Sequence, residues 1–131
     1  MVSIVVDPFP TPEELDHLWR RAWGAPMAAQ YERVLARGLT HVGARDADRL
    51  IGFVNVAWDG GVHAFILDTC VDPDYRRQGV GQLLVAAARA EAQSRGAAWL
   101  HVDYEQHLEG FYRACGFRPT RAGLIDLAIG R

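Results

Sequence analysis

The chain has 131 residues, half of them apolar and 23% charged, with a formal net charge of −2. That profile fits one globular domain spanning 1–131 and argues against a non-specific nucleic-acid binder, which carries a basic excess. No run approaches the roughly 18 apolar residues of a membrane span, and MVSIVVDPFP lacks the basic stretch and long apolar core of a secretory leader.

In chain order, Ser3–Val6 is a short strand stopped by Asp7-Pro8. Thr11-Pro12-Glu13-Glu14 reads as a helix start: a hydroxyl cap, proline at the first helical position, then acids in the first turn. The helix is expected to run to Trp23, with Leu15, Leu18, Trp19 and Ala22 on one face, and to end at Gly24-Ala25-Pro26. A second helix is expected over Ala29–Arg37, with Gly38 closing it. Strands are expected at Thr40–Ala44, Leu50–Trp58 and Val62–Val71, the last two joined by a turn at Asp59-Gly60-Gly61. Asp72-Pro73-Asp74 stops the fourth strand.

Gln78–Arg95 is the strongest helix, with Val80, Leu83, Leu84, Ala87 and Ala88 at helical spacing and Gly96 after it. A fifth strand at Ala98–Asp103 follows by a helical crossover, so it lies parallel to the fourth. A helix over Gln106–Cys115 is expected to end at Gly116-Phe117, glycine followed by an apolar residue. Leu124–Ile129 reads as a last strand. The expected fold class is α+β: a mixed, mostly antiparallel central sheet with helices on both faces.

The segment YRRQGVGQLLV at 75–85 places Arg76 and Arg77 before Gly79 and Gly81, where a helix begins. The first N–H groups of a helix lack intrahelical partners and, with the helix dipole, attract an anion. Glycines let an anion approach the backbone, and arginine forks suit phosphate oxygens. A P-loop would need Gly-Lys-Ser/Thr where this chain has Gly-Val-Gly-Gln, and a dinucleotide fingerprint would need glycine at Leu84. The loop alone leaves two readings, an anion site and a plain tight turn.

Cys70 and Cys115 lie in apolar segments and read as free thiols in a reducing cytoplasm. His101, Asp103 and His107 match no common zinc spacing, so no metal is expected.

Taken with its neighbours, Val71-Asp72-Pro73 leading into Arg76, Gly79 and Gly81 resembles the signature of the GNAT superfamily, the acyl-CoA-dependent N-acetyltransferases, with loop pattern Q/R-x-x-G-x-G/A. A second block, FYRACGF at 111–117, resembles the family's F-Y-x-x-x-G-F helix at Phe111, Tyr112, Gly116 and Phe117. The resemblance extends to the order of elements along the chain. It implies acetyl-CoA as cosubstrate, with pyrophosphate on the N–H groups of Gln78, Gly79, Val80 and Gly81, Arg76 and Arg77 alongside, and Gln82 completing the set. It also implies a pantetheine arm along Thr69, Cys70 and Val71, where the fourth and fifth strands splay. Homodimers are common among such proteins.

Two departures stand out: Glu105 and Leu108 occupy positions often held by Asn and Ala, and His63-Ala64-Phe65-Ile66 lacks the catalytic Glu that some members carry. The resemblance makes Tyr112 the acid for the leaving thiol, since a phenol stays protonated at pH 7. Where some members read W-L-E-V with a glutamate base, this chain has Trp99-Leu100-His101-Val102. His101 is therefore the leading base, because imidazole changes charge near neutral pH. Asp103, Asp68 and a water relay stay open.

The implied reaction is transfer of acetyl to a primary amine, a small molecule or a peptide N-terminus, by direct attack in a ternary complex. The rival is a non-catalytic acyl-CoA-binding module. Trp19, Trp23, Met27 and Tyr31 read either as core packing or as an acceptor site.

Overall fold

The computed structural model describes residues 1–28 and 30–128. Five strands form one sheet in the order β1 (Val2–Val6), β2 (Thr40–Asp46), β3 (Arg49–Trp58), β4 (His63–Val71) and β5 (Trp99–His101). The first three pairings are antiparallel and β4–β5 is parallel, the mixed sheet expected from the hairpin turn and the helical crossover.

Helix α1 (Pro12–Trp23) starts as the sequence predicts. Thr11 accepts from the Glu14 N–H while Glu14 reaches back to the Thr11 N–H, a complete capping box. Helix α2 (Tyr31–Arg37) begins two residues after the expected Ala29, which lies outside the described residues. Together α1 and α2 cover one sheet face, where Leu15, Leu18, Trp19, Tyr31 and Leu35 pack on Leu50, Phe53 and Cys70. Helix α3 (Val80–Ser94) covers the other, with Leu84, Ala88 and Ala92 against Val42, Val54, Val56 and Ile66.

The expected helix over Gln106–Cys115 resolves into a 3₁₀ turn at Gln106–Leu108 followed by α4 (Glu109–Ala114). Its end is the expected one: Gly116 has φ +101° and the Phe117 N–H donates to the Tyr112 carbonyl at 3.0 Å.

Two strand expectations are corrected. β5 is shorter than Ala98–Asp103, because its pairing with β4 stops at Phe65↔His101 and the two strands then part. The strand expected at Leu124–Ile129 does not form over its described part. Residues 121–126 are irregular, 127–128 form a turn, and Ile129 lies outside the described residues. An apolar run becomes a strand only with a partner for its N–H and C=O groups. Leu124 and Leu127 are instead 88% and 87% exposed.

Between Phe53 and Asn55 the β3–β4 register shifts: Phe53 faces Cys70 and Asn55 faces Leu67, so Asp68 and Thr69 oppose Val54 alone. This bulge bends β4 where it leaves β5.

Candidate active site

After Val71, Asp72 turns the chain by accepting the Asp74 N–H at 2.9 Å, and a 3₁₀ turn at Pro73–Tyr75 leads into the glycine loop. Arg77 and Gly79 both have positive φ, +64° and +80°. Helix α3 then starts at Val80 with no side chain capping it. A Cβ on Gly79 would enter open space, so the approach to the first N–H groups of α3 is unobstructed. Gly81 has a further reason to be glycine: a Cβ there would sit 3.0 Å from the Phe111 ring, so its absence allows α3 and α4 to meet.

This helix start opens into a cleft of about 730 Å³ that runs along the end of β4 towards α4. Thr69, Cys70 and Val71 line it on the strand side, Arg76, Arg77 and Gly79 to Gln82 at the loop, and Tyr112 from α4. Of the residues expected to hold acetyl-CoA, only Gln78 is not on its wall; that side chain turns to the Asp74 carbonyl. Arg76 also ties the loop to α1, donating to the Ala22 carbonyl at 3.0 Å. Uncapped helix N–H groups, two arginines and an unobstructed glycine form a donor set that fits a diphosphate.

Tyr112 is 7% exposed, stacked on Tyr104 at 5.0 Å and packed edge-on to Phe111 and Phe117. Burial pushes its pKa up, while the Thr69 hydroxyl beside it pulls the other way. The Thr69 oxygen is itself buried and makes no well-formed hydrogen bond. The Tyr112 phenol is thus held protonated, as a proton donor requires.

His101 stands apart from this cleft. It lines a second hollow of about 1000 Å³ with Phe65, Leu67, Trp99 and Asp103. Phe65 stacks on its ring at 4.8 Å, and His63 Nδ1 lies 2.8 Å from its Nε2. His63 escaped the sequence reading because only the parallel β4–β5 register brings it beside His101. Tyr104 and Phe117, which wall this hollow, also pack on Tyr112, so that aromatic cluster lies between the two cavities.

The residues considered for a metal are divided, His107 on the first cleft and His101 with Asp103 on the second. Burial pushes the Cys70 thiol up to about 12, which disfavours a thiolate nucleophile. The aromatic set splits as well. Trp19 and Tyr31 are core residues in edge-on contact at 4.7 Å, whereas half-exposed Trp23 lines the first cleft.

An uncapped helix start beside two arginines, opening into a cleft along the end of β4 with a protonated phenol on its wall, suits a donor carrying a phosphate head and an extended arm. The sequence model of the Acetyltransferase (GNAT) family matches residues 2–117. The chain belongs to that family.

A GNAT-family acetyltransferase from Streptococcus pneumoniae superposes with a TM-score of 0.81 at 26% identity, covering 97% of this chain and 99% of the other. The mycothiol acetyltransferase of Mycolicibacterium smegmatis is 33% identical over 78 residues, 59% of this chain and 26% of that protein. A chloroplastic GCN5-related N-acetyltransferase of Arabidopsis thaliana is 28% identical over 83 residues, 63% of this chain and 42% of that protein. The matches thus span about a quarter to two fifths of these curated relatives.

Proposed function

We propose that the chain transfers an acetyl group from acetyl-CoA to a primary amine, either a small molecule or a peptide N-terminus, by direct attack in a ternary complex. One observation carries this reading: a single cleft is lined both by the uncapped start of α3 and by the buried Tyr112.

In this reading the N–H groups at Gly79–Gln82, with Arg76 and Arg77, hold the diphosphate of the cosubstrate. Thr69–Val71, on the cleft wall, align its arm, and acetyl-CoA supplies the activated thioester. A β4 backbone N–H polarises the thioester carbonyl. The amine nitrogen forms the new C–N bond as the C–S bond breaks, and the Tyr112 Oη proton passes to the departing sulfur. His101 takes the surplus amine proton through water.

An amine near pKa 8 must give up only about 1.4 kcal/mol to become neutral at pH 7, against about 4.6 kcal/mol for a lysine-like amine. The mechanism therefore favours acceptors of low basicity, all else being equal.

The test is incubation of the protein with acetyl-CoA and a broad amine panel, following free thiol and identifying products by mass spectrometry. Amine-dependent thiol release matched one-for-one by an N-acetyl product is expected. Acetyl-CoA binding with no N-acetyl product from any amine would overturn the reading.

A further inference from the structure

Strand β4 serves two hollows in succession. Thr69–Val71 line the cleft that holds Tyr112, and Phe65–Leu67 line the hollow that holds His101. Asp68 stands at the junction, on the bulge opposite Val54. Its φ is +58°, a left-handed conformation that aspartate tolerates better than most residues. The Tyr31 hydroxyl, rising from the aromatic core under α1 and α2, donates to its Oδ2 at 2.9 Å. That bond orients the carboxylate while Asp68 itself remains exposed.

The hollow beyond Asp68 has an apolar lining that solvent reaches: Phe65 is 36% exposed, Leu67 41% and Trp99 56%. Its charged lining is mainly positive, with Arg89, Arg118 and Arg121 against the single carboxylate of Asp103. Apolar lining draws an apolar body, and three guanidinium groups oppose a polycation. Asp68 lies in sequence between Leu67, on the wall of this hollow, and Thr69, on the wall of the donor cleft, so its oriented carboxylate stands where an acceptor must pass before its amine loses a proton and reacts.

We infer that the second hollow is the acceptor site and selects a primary monoamine on an apolar or aromatic body, its ammonium received by Asp68. This rests on the amine-acetylation reading. Asp68 is then a specificity-determining residue that holds the acceptor, and the arginines exclude polyamines.

The test compares phenethylamine, spermidine and glucosamine as acceptors for the wild-type chain and for Asp68→Asn and Asp68→Gly. Both replacements tolerate positive φ, so the bulge is kept. Phenethylamine is a more basic amine than glucosamine, and burial of its apolar body is expected to outweigh that disadvantage, giving a wild-type kcat/KM above the other two by about tenfold or more. Each variant is expected to raise the phenethylamine KM by about tenfold or more, with CoA Kd by calorimetry within about twofold of wild type.

Spermidine or glucosamine used as well as phenethylamine, or an unchanged KM in both variants, would overturn this inference and leave acetyl transfer standing. Acetyl-CoA binding with no amine acetylated would remove both.

Discussion

Arg21 and Asp72 are joined by a two-pronged ion pair, Nε to Oδ2 at 2.6 Å and Nη2 to Oδ1 at 3.0 Å, across 51 residues of sequence. Asp72 is 1% exposed and turns the chain out of β4, so the pair fastens α1 to the entrance of the glycine loop. The Arg21 guanidinium holds the Asp72 carboxyl below the usual carboxylate range. Asp72→Asn is expected to lower stability at pH 7 by about 1–3 kcal/mol in urea denaturation. A depressed folded-state pKa contributes stability that is fully present above the unfolded value near 3.9 and is lost as pH falls through the folded value. The difference between wild type and variant should therefore narrow below about pH 4.

His41 supplies a second pH dependence. It is 1% exposed, its Nε2 accepts the Phe9 N–H at 2.9 Å, and burial pushes its pKa down despite the opposing pull of Asp7. Arg95, bonded to the same Asp7, adds to the downward shift. The unfolded chain binds a proton at this histidine near pH 6.5 while the folded chain resists it, so stability is full above that pH and falls below it. The thermal midpoint of wild type should drop between pH 7 and pH 5, and His41→Gln should flatten that part of the profile.

Much of the architecture was readable because local chemistry and packing agreed. Thr11 to Glu14 is a capping box with its own start signal, and the apolar stripe of α3 matches the buried face at Val80, Leu84 and Ala88, although Leu83 is 53% exposed and Val85 is buried in its stead. The first cleft was legible through Arg76, Gly79, Gly81 and Tyr112, whose spacing carries the family resemblance. Long-range register was not legible. Nothing near His63 in sequence points to His101, and nothing near Tyr31 points to Asp68. Leu124, Ile125 and Leu127 show why pattern alone misleads: their apolar run resembles a strand, yet no neighbouring strand pairs with their described backbone.

Gly79 tests the anion site. At φ +80° a branched side chain is strained, and its bulk would stand in the open approach to α3. Gly79→Val is expected to weaken CoA binding by about tenfold or more in calorimetry, with far-UV circular dichroism unchanged. Gly81→Ala differs, since its Cβ meets Phe111; it should lower the thermal midpoint by disturbing the α3–α4 contact.

For the base, His101→Ala is expected to lower kcat by about a hundredfold, within the range for general base catalysis, with CoA Kd unchanged. His63→Ala should have a smaller effect, because it removes only the 2.8 Å partner of His101. An unchanged kcat in His101→Ala would move the base role to Asp103, Asp68 or water.

The most direct test concerns Tyr112, whose burial keeps the phenol protonated above its ordinary range. Steady-state thiol release by Tyr112→Phe on a good amine, beside CoA affinity by calorimetry, separates proton donation from binding. The account predicts a kcat lower by about 10²–10⁴-fold, with CoA Kd within about twofold of wild type. A Tyr112→Phe enzyme as fast as wild type would contradict it.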